Sequence, residues 1–151
     1  MKPEKITLDG FDDFHLWQKT LNGYEFFYYT GELAATAGTV KVVLHPPKDT
    51  LDWDEFISSA PALIATTHEK YTEIFLSRWF PVWNLLRRYG DWSVFPRKHR
   101  NLAELLSLQT IKIIADEDHE IILKGVPTHS SLDLFVSFDD SFRMTDVWFD
   151  G

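Results

Sequence analysis

Cysteine is absent from the 151-residue chain, and this absence excludes three kinds of site. No disulfide can staple the fold, no thiolate can bind zinc, and no thiol can act as a nucleophile. A chain of this length buries roughly 68–70% of its extended surface, so a hydrophobic core can hold it without such links. Apolar residues make up 44% of the chain and include six Trp and twelve Phe. This composition predicts a folded domain and excludes a disordered acidic tail.

The sequence also lacks long apolar runs and the short motifs of common enzymes. No run approaches the roughly 20 apolar residues of a membrane-spanning helix. The N-terminal sequence MKPEKITLDG lacks the apolar core of a signal peptide, so we expect a cytoplasmic protein with no membrane partner. The glycines form no P-loop, GxGxxG or GxSxG motif, and the six histidines form no HExxH or HxxxH pair. We therefore predict no catalytic residue, no cofactor and no metal site, and hence a protein that is not an enzyme.

Basic residues are in deficit, with 15 Lys and Arg against 23 Asp and Glu and a net charge of −8. Residues 87–100 hold five of the 15 cations and one acid, Asp91, which leaves the rest of the chain at −12. Trp92 and Phe95 lie among these cations, a pattern also found in proteins that bind single-stranded nucleic acid. Alternatively, the segment is a helix C-terminus followed by a solvent-exposed loop, which also accounts for its basic residues. Because phosphate binding needs local positive charge, we expect no nucleic-acid partner for this acidic chain.

Hydrophobic periodicity divides the chain into four regions within a single domain, residues 1–151. Residues 5–45 read as β structure, in which 11–17 fit either a strand or a short helix. A helical period follows over 52–90, in which Pro61 either starts a second segment or kinks the first, and a further kink is expected at Pro81. A short helix over 102–106 and a β meander over 109–149 complete the chain. The predicted fold class is α+β: antiparallel β meanders at both ends pack against a central long kinked helix and a short helix.

Arg78 interrupts the apolar stripe of the predicted long helix. It lies between Phe75, Trp79 and Val82 when residues are placed at 100° steps. Its stem can pack on the core while the guanidinium reaches solvent or a structural carboxylate. Alternatively, Arg78, Trp79 and Trp83 line a pocket between the long helix and the sheet. That pocket carries the alternative function of this chain, a small-molecule-binding domain or an enzyme.

Acidic residues dominate the C-terminal region, where nine acids from Asp116 onward face only Lys124 and Arg143. Such a surface attracts a basic protein and accelerates its association. We predict that a protein partner binds there through acidic and aromatic side chains: Asp116, Glu117, Asp118, Asp133, Asp139, Asp140 and Trp148. A homodimer is a further expectation, because an exposed edge strand of the meander can pair with the same strand of a second copy.

The sequence Leu102 to Ile114 places a short helix directly before a strand, and Thr128 to Val136 precedes a charged turn and a final strand. In this order of elements the chain resembles a family of small bacterial cytosolic domains of unknown function, some of them immunity-protein-like. That family often shows a segment similar to Trp-Asp-x-Glu-His-Gly-Leu-Gly-Val. His129 and Leu132 correspond to positions of this motif, whereas its Trp and both glycines are absent here. The resemblance implies a non-catalytic domain that neutralises a toxin by binding it, and it carries over no catalytic residues.

Overall fold

Strands dominate the computed structural model, which describes residues 2–35, 38–76, 106–124 and 133–150. The N-terminal strands are β1 (Lys5–Ile6), β2 (Phe14–Leu21), β3 (Tyr24–Ala35) and β4 (Gly38–His45). A 3-10 turn (Thr50–Asp52) leads into helix α1 (Trp53–Leu76), and β5 (Ser107–Ile114), β6 (His119–Lys124), β7 (Asp133–Phe138) and β8 (Met144–Asp150) follow. The eight strands form one sheet in chain order. Neighbouring strands are antiparallel except β4 and β5, which run parallel.

This architecture shows that the predicted fold class is wrong. The two β regions, predicted as separate meanders at the two ends of the chain, join through β4 and β5 into a single mixed sheet. Parallel neighbours need a long crossover connection, and α1 lies within that connection instead of dividing two sheets. In the described ranges α1 is the one α-helix, and it passes through Pro61 as a continuous element. The predicted kink at Pro81 and most of the predicted helix 102–106 fall outside the described residues, and Leu106 is not helical.

Strand β2 is the element that the hydrophobic pattern left unassigned. It pairs with β3 from His15 opposite Thr30 to Leu21 opposite Tyr24, which leaves a turn of two residues. Those residues are Asn22 and Gly23, with φ of 53° and 80°. Asn-Gly is the preferred sequence for a two-residue hairpin turn with two positive φ angles. The hairpin signal was therefore present in the sequence as a dipeptide.

Alternation along the strands gives the sheet an inner face that packs against α1. The inner face carries buried Tyr29, Val42, Leu44, Ile111 and Ile113. Helix α1 buries one stripe of side chains, at steps of three or four residues from Trp53 to buried Thr67 and then at the adjacent pair Ile74 and Phe75; its apolar members are Trp53, Phe56, Ala60, Ile64, Ile74 and Phe75. The apolar surface buried between the inner face of the sheet and α1 makes the main contribution to stability.

Two hydrogen bonds fix where α1 begins. The Asp49 carboxylate accepts from the Leu51 N–H at 3.0 Å and caps the 3-10 turn. The buried indole Nε1 of Trp53 donates to the Pro47 carbonyl at 2.7 Å. The segment after β4 is therefore held against the first turn of the helix.

Gly31 on β3 lies beneath the buried ring of Phe14 on β2. A Cβ atom at Gly31 would come within 2.5 Å of the ring carbon Cε1 and 2.6 Å of Cδ1. Side-chain atoms do not approach so closely, so any other residue here must displace the ring. Because Phe14 is fully buried, its ring has no open space into which to move.

Gly31→Ala should therefore lower the free energy of unfolding by about 1–3 kcal/mol, the usual cost of overpacking a core. Urea denaturation of the wild type and the variant measures this loss. In a Phe14→Leu background the same substitution should cost less, because the smaller side chain can move aside. An equal cost in both backgrounds would place the effect of Gly31 in the backbone and contradict the steric explanation.

Candidate acidic cleft

A cleft of about 710 Å³ opens at the end of the sheet where β4, β5 and β7 finish. Three segments form its walls: the first turns of α1, the turn between β5 and β6 at Ala115–Asp118, and the turn between β7 and β8 at Asp139–Asp140. The parallel pairing of β4 and β5 brings them together. It sets His45 beside Ile114, so the connection into α1 runs next to the turn that follows β5.

Seven carboxylates line this cleft: Asp52, Glu55, Asp116, Glu117, Asp118, Asp139 and Asp140. Among the described residues that line it, no Lys or Arg offsets these charges. The N-terminus of α1 contributes partial positive charge from its unpaired N–H groups, but only over the first turn. The cleft therefore presents a strongly negative surface, which attracts cations over about a Debye length.

The floor of the cleft is apolar. Phe56 and Leu63 line it from the helix, Ile113 lines it from β5, and Ala115 lines it from the turn that follows β5. A long cationic side chain matches such a surface, because its aliphatic stem packs on apolar groups while its charged end meets carboxylates. The cleft thus combines the two features that a lysine or arginine side chain needs.

His119 lies in the wall of the cleft with both ring nitrogens engaged. The Ile114 N–H donates to Nδ1 at 3.1 Å, so Nε2 carries the proton of the neutral ring and donates to the Asp140 carboxylate at 3.0 Å. The imidazole is 6% exposed, whereas the Asp140 side chain is 90% exposed, so solvent screens the pair. In this arrangement His119 braces the β5–β6 turn and has no nitrogen left to serve as a general base.

Asp139 also holds a turn together. Its Oδ1 accepts from the backbone N–H of Ser141 at 2.9 Å and of Arg143 at 3.1 Å. The Phe142 N–H donates to the Asp139 carbonyl at 3.0 Å, and Phe142 has a φ of 60°. Asp139 therefore supplies charge to the cleft while one oxygen maintains the turn.

Five of the residues predicted to bind a partner come together at this cleft: Asp116, Glu117, Asp118, Asp139 and Asp140. Asp133 does not join them, since it begins β7 and pairs with Asp150 at the far end of the strand. Trp148 is half-buried on the outer face of the sheet, where its ring stacks on Phe135 at 5.5 Å. The predicted pocket residues Arg78, Trp79 and Trp83 fall outside the described residues.

Three ionisable residues of the cleft are not among the partner-binding residues that the sequence predicted: Asp52, Glu55 and His119. In an antiparallel meander, alternate turns lie at the same end of the sheet, which brings 115–118 and 139–140 together without any further information. No comparable signal places the start of α1 beside them, because that depends on the parallel pairing of β4 and β5.

His45 lies at the end of β4 on the outer face of the sheet, next to this cleft. Its carbonyl accepts from the Ala115 N–H at 3.0 Å, and its ring centroid is 5.6 Å from that of Tyr28. Burial lowers the pKa of His45 below the ordinary value of 6.5, and the positive charge of Lys112 lowers this pKa further. The negative charge of Glu117 acts in the opposite direction. The folded protein therefore favours the neutral ring of His45 over the protonated ring more strongly than the unfolded chain does.

Within the part of the chain that the structure covers, no group of three or more His, Asp or Glu residues is arranged to hold a metal ion. No helix in the same ranges is long and apolar enough to cross a membrane.

Comparison with known proteins returns no match: no family model, no curated protein and no solved structure matches this chain. The resemblance to immunity-protein-like domains therefore stays a prediction, and the geometry of the cleft is what bears on function.

The His45 ring should titrate below 6.5 in an NMR pH series that follows its ring protons. Glu117→Gln should lower this pKa further, because it removes the charge that favours protonation, and Lys112→Met should raise it. Since the folded-state pKa is the lower one, the contribution of His45 to stability is complete above pH 6.5. It is lost as the pH falls from 6.5 through the folded-state pKa.

The pH series has a matched control in His45→Gln, which should flatten the part of the stability–pH curve that His45 contributes. A pKa for His45 at or above 6.5 would contradict the assigned burial and charge environment.

Proposed function

We propose that this protein is a non-catalytic binding domain that takes up Lys or Arg side chains of a basic protein partner in its acidic cleft. The observation that carries the proposal is the convergence of seven carboxylates, from three separate segments, on a cavity with an apolar floor. Carboxylates repel one another, and gathering them at one place costs stability unless a cation binds. A basic partner supplies that cation.

Electrostatics also favours fast recognition of such a partner. A concave surface of one sign focuses its field and raises association rates well above those of neutral pairs. This property suits the neutralisation of a basic toxin, and within the proposal the domain acts in the cytoplasm as an immunity protein. The same negative surface repels phosphate groups, so nucleic acid is not part of the proposal.

A small cationic ligand is the second candidate, and the shape of the cleft favours it. A volume of about 710 Å³ falls in the range of roughly 300–1,000 Å³ that is typical of small-molecule sites. The cleft is lined by the first turns of α1 and by the end of β5, a different place from the pocket predicted at Arg78, Trp79 and Trp83. A linear polyamine has the combination of methylene stem and ammonium groups that the floor and rim accommodate.

The test compares two variants that change the net charge equally. The cleft variant carries Asp52→Asn, Glu55→Gln, Glu117→Gln and Asp118→Asn. The matched control carries Asp9→Asn, Asp12→Asn, Glu69→Gln and Glu73→Gln, four exposed acids that do not line the cleft. Calorimetry measures the binding of a nine-residue lysine–arginine peptide to each, with a glutamine peptide as the neutral reference.

We expect the cleft variant to bind the basic peptide at least tenfold more weakly than the wild type, and the control variant to lose threefold or less. Wild-type affinity should also fall between 50 and 300 mM salt, because the contacts are ionic. Equal losses in the two variants would mean that the peptide responds to net charge alone, and the cleft would then not be the binding site.

Spermine and a purified partner separate the two candidates. If spermine binds with a stoichiometry of one and displaces the peptide at a lower concentration, the small-ligand function is favoured. If instead the purified basic protein encoded by a neighbouring gene binds much more tightly than either probe, and the cleft variant abolishes that binding, the immunity function is favoured.

A further inference from the structure

The hairpin of β2 and β3 extends beyond the rest of the sheet as a two-stranded arm. The ladder between β3 and β4 ends with Tyr29 opposite Leu44, whereas the ladder between β2 and β3 continues to Leu21 opposite Tyr24. Two-stranded ribbons are marginally stable in water on their own. The inner side of the arm is anchored through Phe27. The ring of Phe27 stacks on Trp53, and the Lys2 ammonium lies 4.3 Å from the centroid of the Phe27 ring.

The outer side of the arm carries large apolar side chains that are exposed. Trp17 is 42% exposed, Leu21 50%, Tyr24 72% and Phe26 54%. The pairing of Trp17 with Tyr28 and of Leu21 with Tyr24 places all of them on one face. Contiguous exposed apolar surface of this kind marks an interaction site in soluble proteins.

The arm also presents a strand edge with unpaired backbone groups. The Leu16 N–H donates at 2.9 Å to the carbonyl of Glu4, the residue just before β1. Backbone groups alternate in direction along an antiparallel strand, so those of Gln18 and Thr20 point to the same side as those of Leu16. Beyond Leu16, no described strand pairs with that side of β2. Such an edge can add a further strand.

The β2 edge and the opposite edge of the sheet, β8, differ in charge. Strand β2 contains one lysine, Lys19, and no acidic residue, whereas β8 contains Asp146 and Asp150. In a protein with a net charge of −8, two copies approach each other at lowest electrostatic cost through a surface without carboxylates. The β2 edge provides this surface, whereas the carboxylate of the arm, Glu25, lies on β3 and forms an ion pair with Lys2 at 2.8 Å.

We propose that a second copy of this chain pairs with the β2 edge, so that the protein forms a two-fold symmetric dimer through its hairpin arms. When the two-fold axis passes beside Thr20, Lys19 of one copy lies opposite Leu21 of the other copy. The two lysines therefore do not face each other. It also keeps β1 of each copy clear of the junction. The two aromatic faces then lie side by side on a continuous sheet.

The exposed aromatic area sets an upper limit on what the dimer can bury. With about 200 Å² for each aromatic side chain, the exposed fractions of Trp17, Tyr24 and Phe26 amount to roughly 350 Å² per copy. A stable interface buries about 800 Å² on each partner. Strand pairing covers only the side chains next to the junction and otherwise contributes backbone hydrogen bonds, so we expect a weak dimer with a dissociation constant on the order of tens of micromolar.

Sedimentation equilibrium of the full chain tests the proposal. The monomer has a mass of 17.6 kDa, and we expect a concentration-dependent shift to twice that value between 1 and 100 µM. Gln18→Pro removes an N–H that points away from β3, so it should preserve the hairpin and weaken dimerisation at least tenfold. The double variant Trp17→Thr and Leu21→Thr, which changes the exposed apolar residues of β2 itself, should weaken it as well, and circular dichroism checks that both variants fold.

Crosslinking provides an independent measurement, because the natural chain contains no cysteine. Cα atoms of directly paired strand residues lie within disulfide range, so Thr20→Cys should form a covalent dimer under mild oxidation. Thr145→Cys on β8 is the matched control at the other edge and should crosslink at least tenfold more slowly. A wild type that is monomeric at 100 µM would overturn the proposal. Equal crosslinking at both edges, or open-ended polymers of β2 on β8, would also overturn it.

Discussion

The parallel pairing of β4 with β5 is the contact on which the rest of the structure depends. It fuses two antiparallel halves into one eight-stranded sheet and sets His45 beside Ile114. Because parallel neighbours cannot be joined by a tight turn, the chain must cross over between them, and α1 lies in that crossover. The inner face of the sheet and the apolar stripe of α1 then bury each other. Core, helix position and cleft are all consequences of this one contact.

The two surfaces with a proposed role lie at the same end of the sheet and differ in physical character. The cleft is concave and acidic, and its charges come from turns at the ends of strands. The arm is projecting, apolar and nearly neutral. Between them runs the connection from β4 to α1, where Trp53 contacts Phe27 of the arm at 6.3 Å between ring centroids. Each surface can therefore engage its own occupant, since neither uses residues of the other.

Much of the strand content could be predicted because alternation and turn residues are local signals. The predicted β regions, 5–45 and 109–149, contain β1 to β4 and, to within two residues, β5 to β8. Strand β2 was not assigned, because polar and apolar residues do not alternate cleanly over a projecting arm that has little core to face. The acidic turns at 116–118 and 139–140 were also identified, since their charge is visible in the sequence. Asp133 was grouped with them by composition, although it lies at the other end of β7.

The sequence by itself determined the charge balance, the absence of thiol chemistry, the helical stripe after residue 52 and the acidic turns of the C-terminal half. Only the tertiary structure decided that one sheet contains both β regions and that Asp52 and Glu55 face the same cleft as Glu117 and Asp118. The reason is the range of the forces involved. Periodicity and turn chemistry act over a few residues, whereas β4 and β5 are brought together by burying apolar surface between segments about 60 residues apart in the chain.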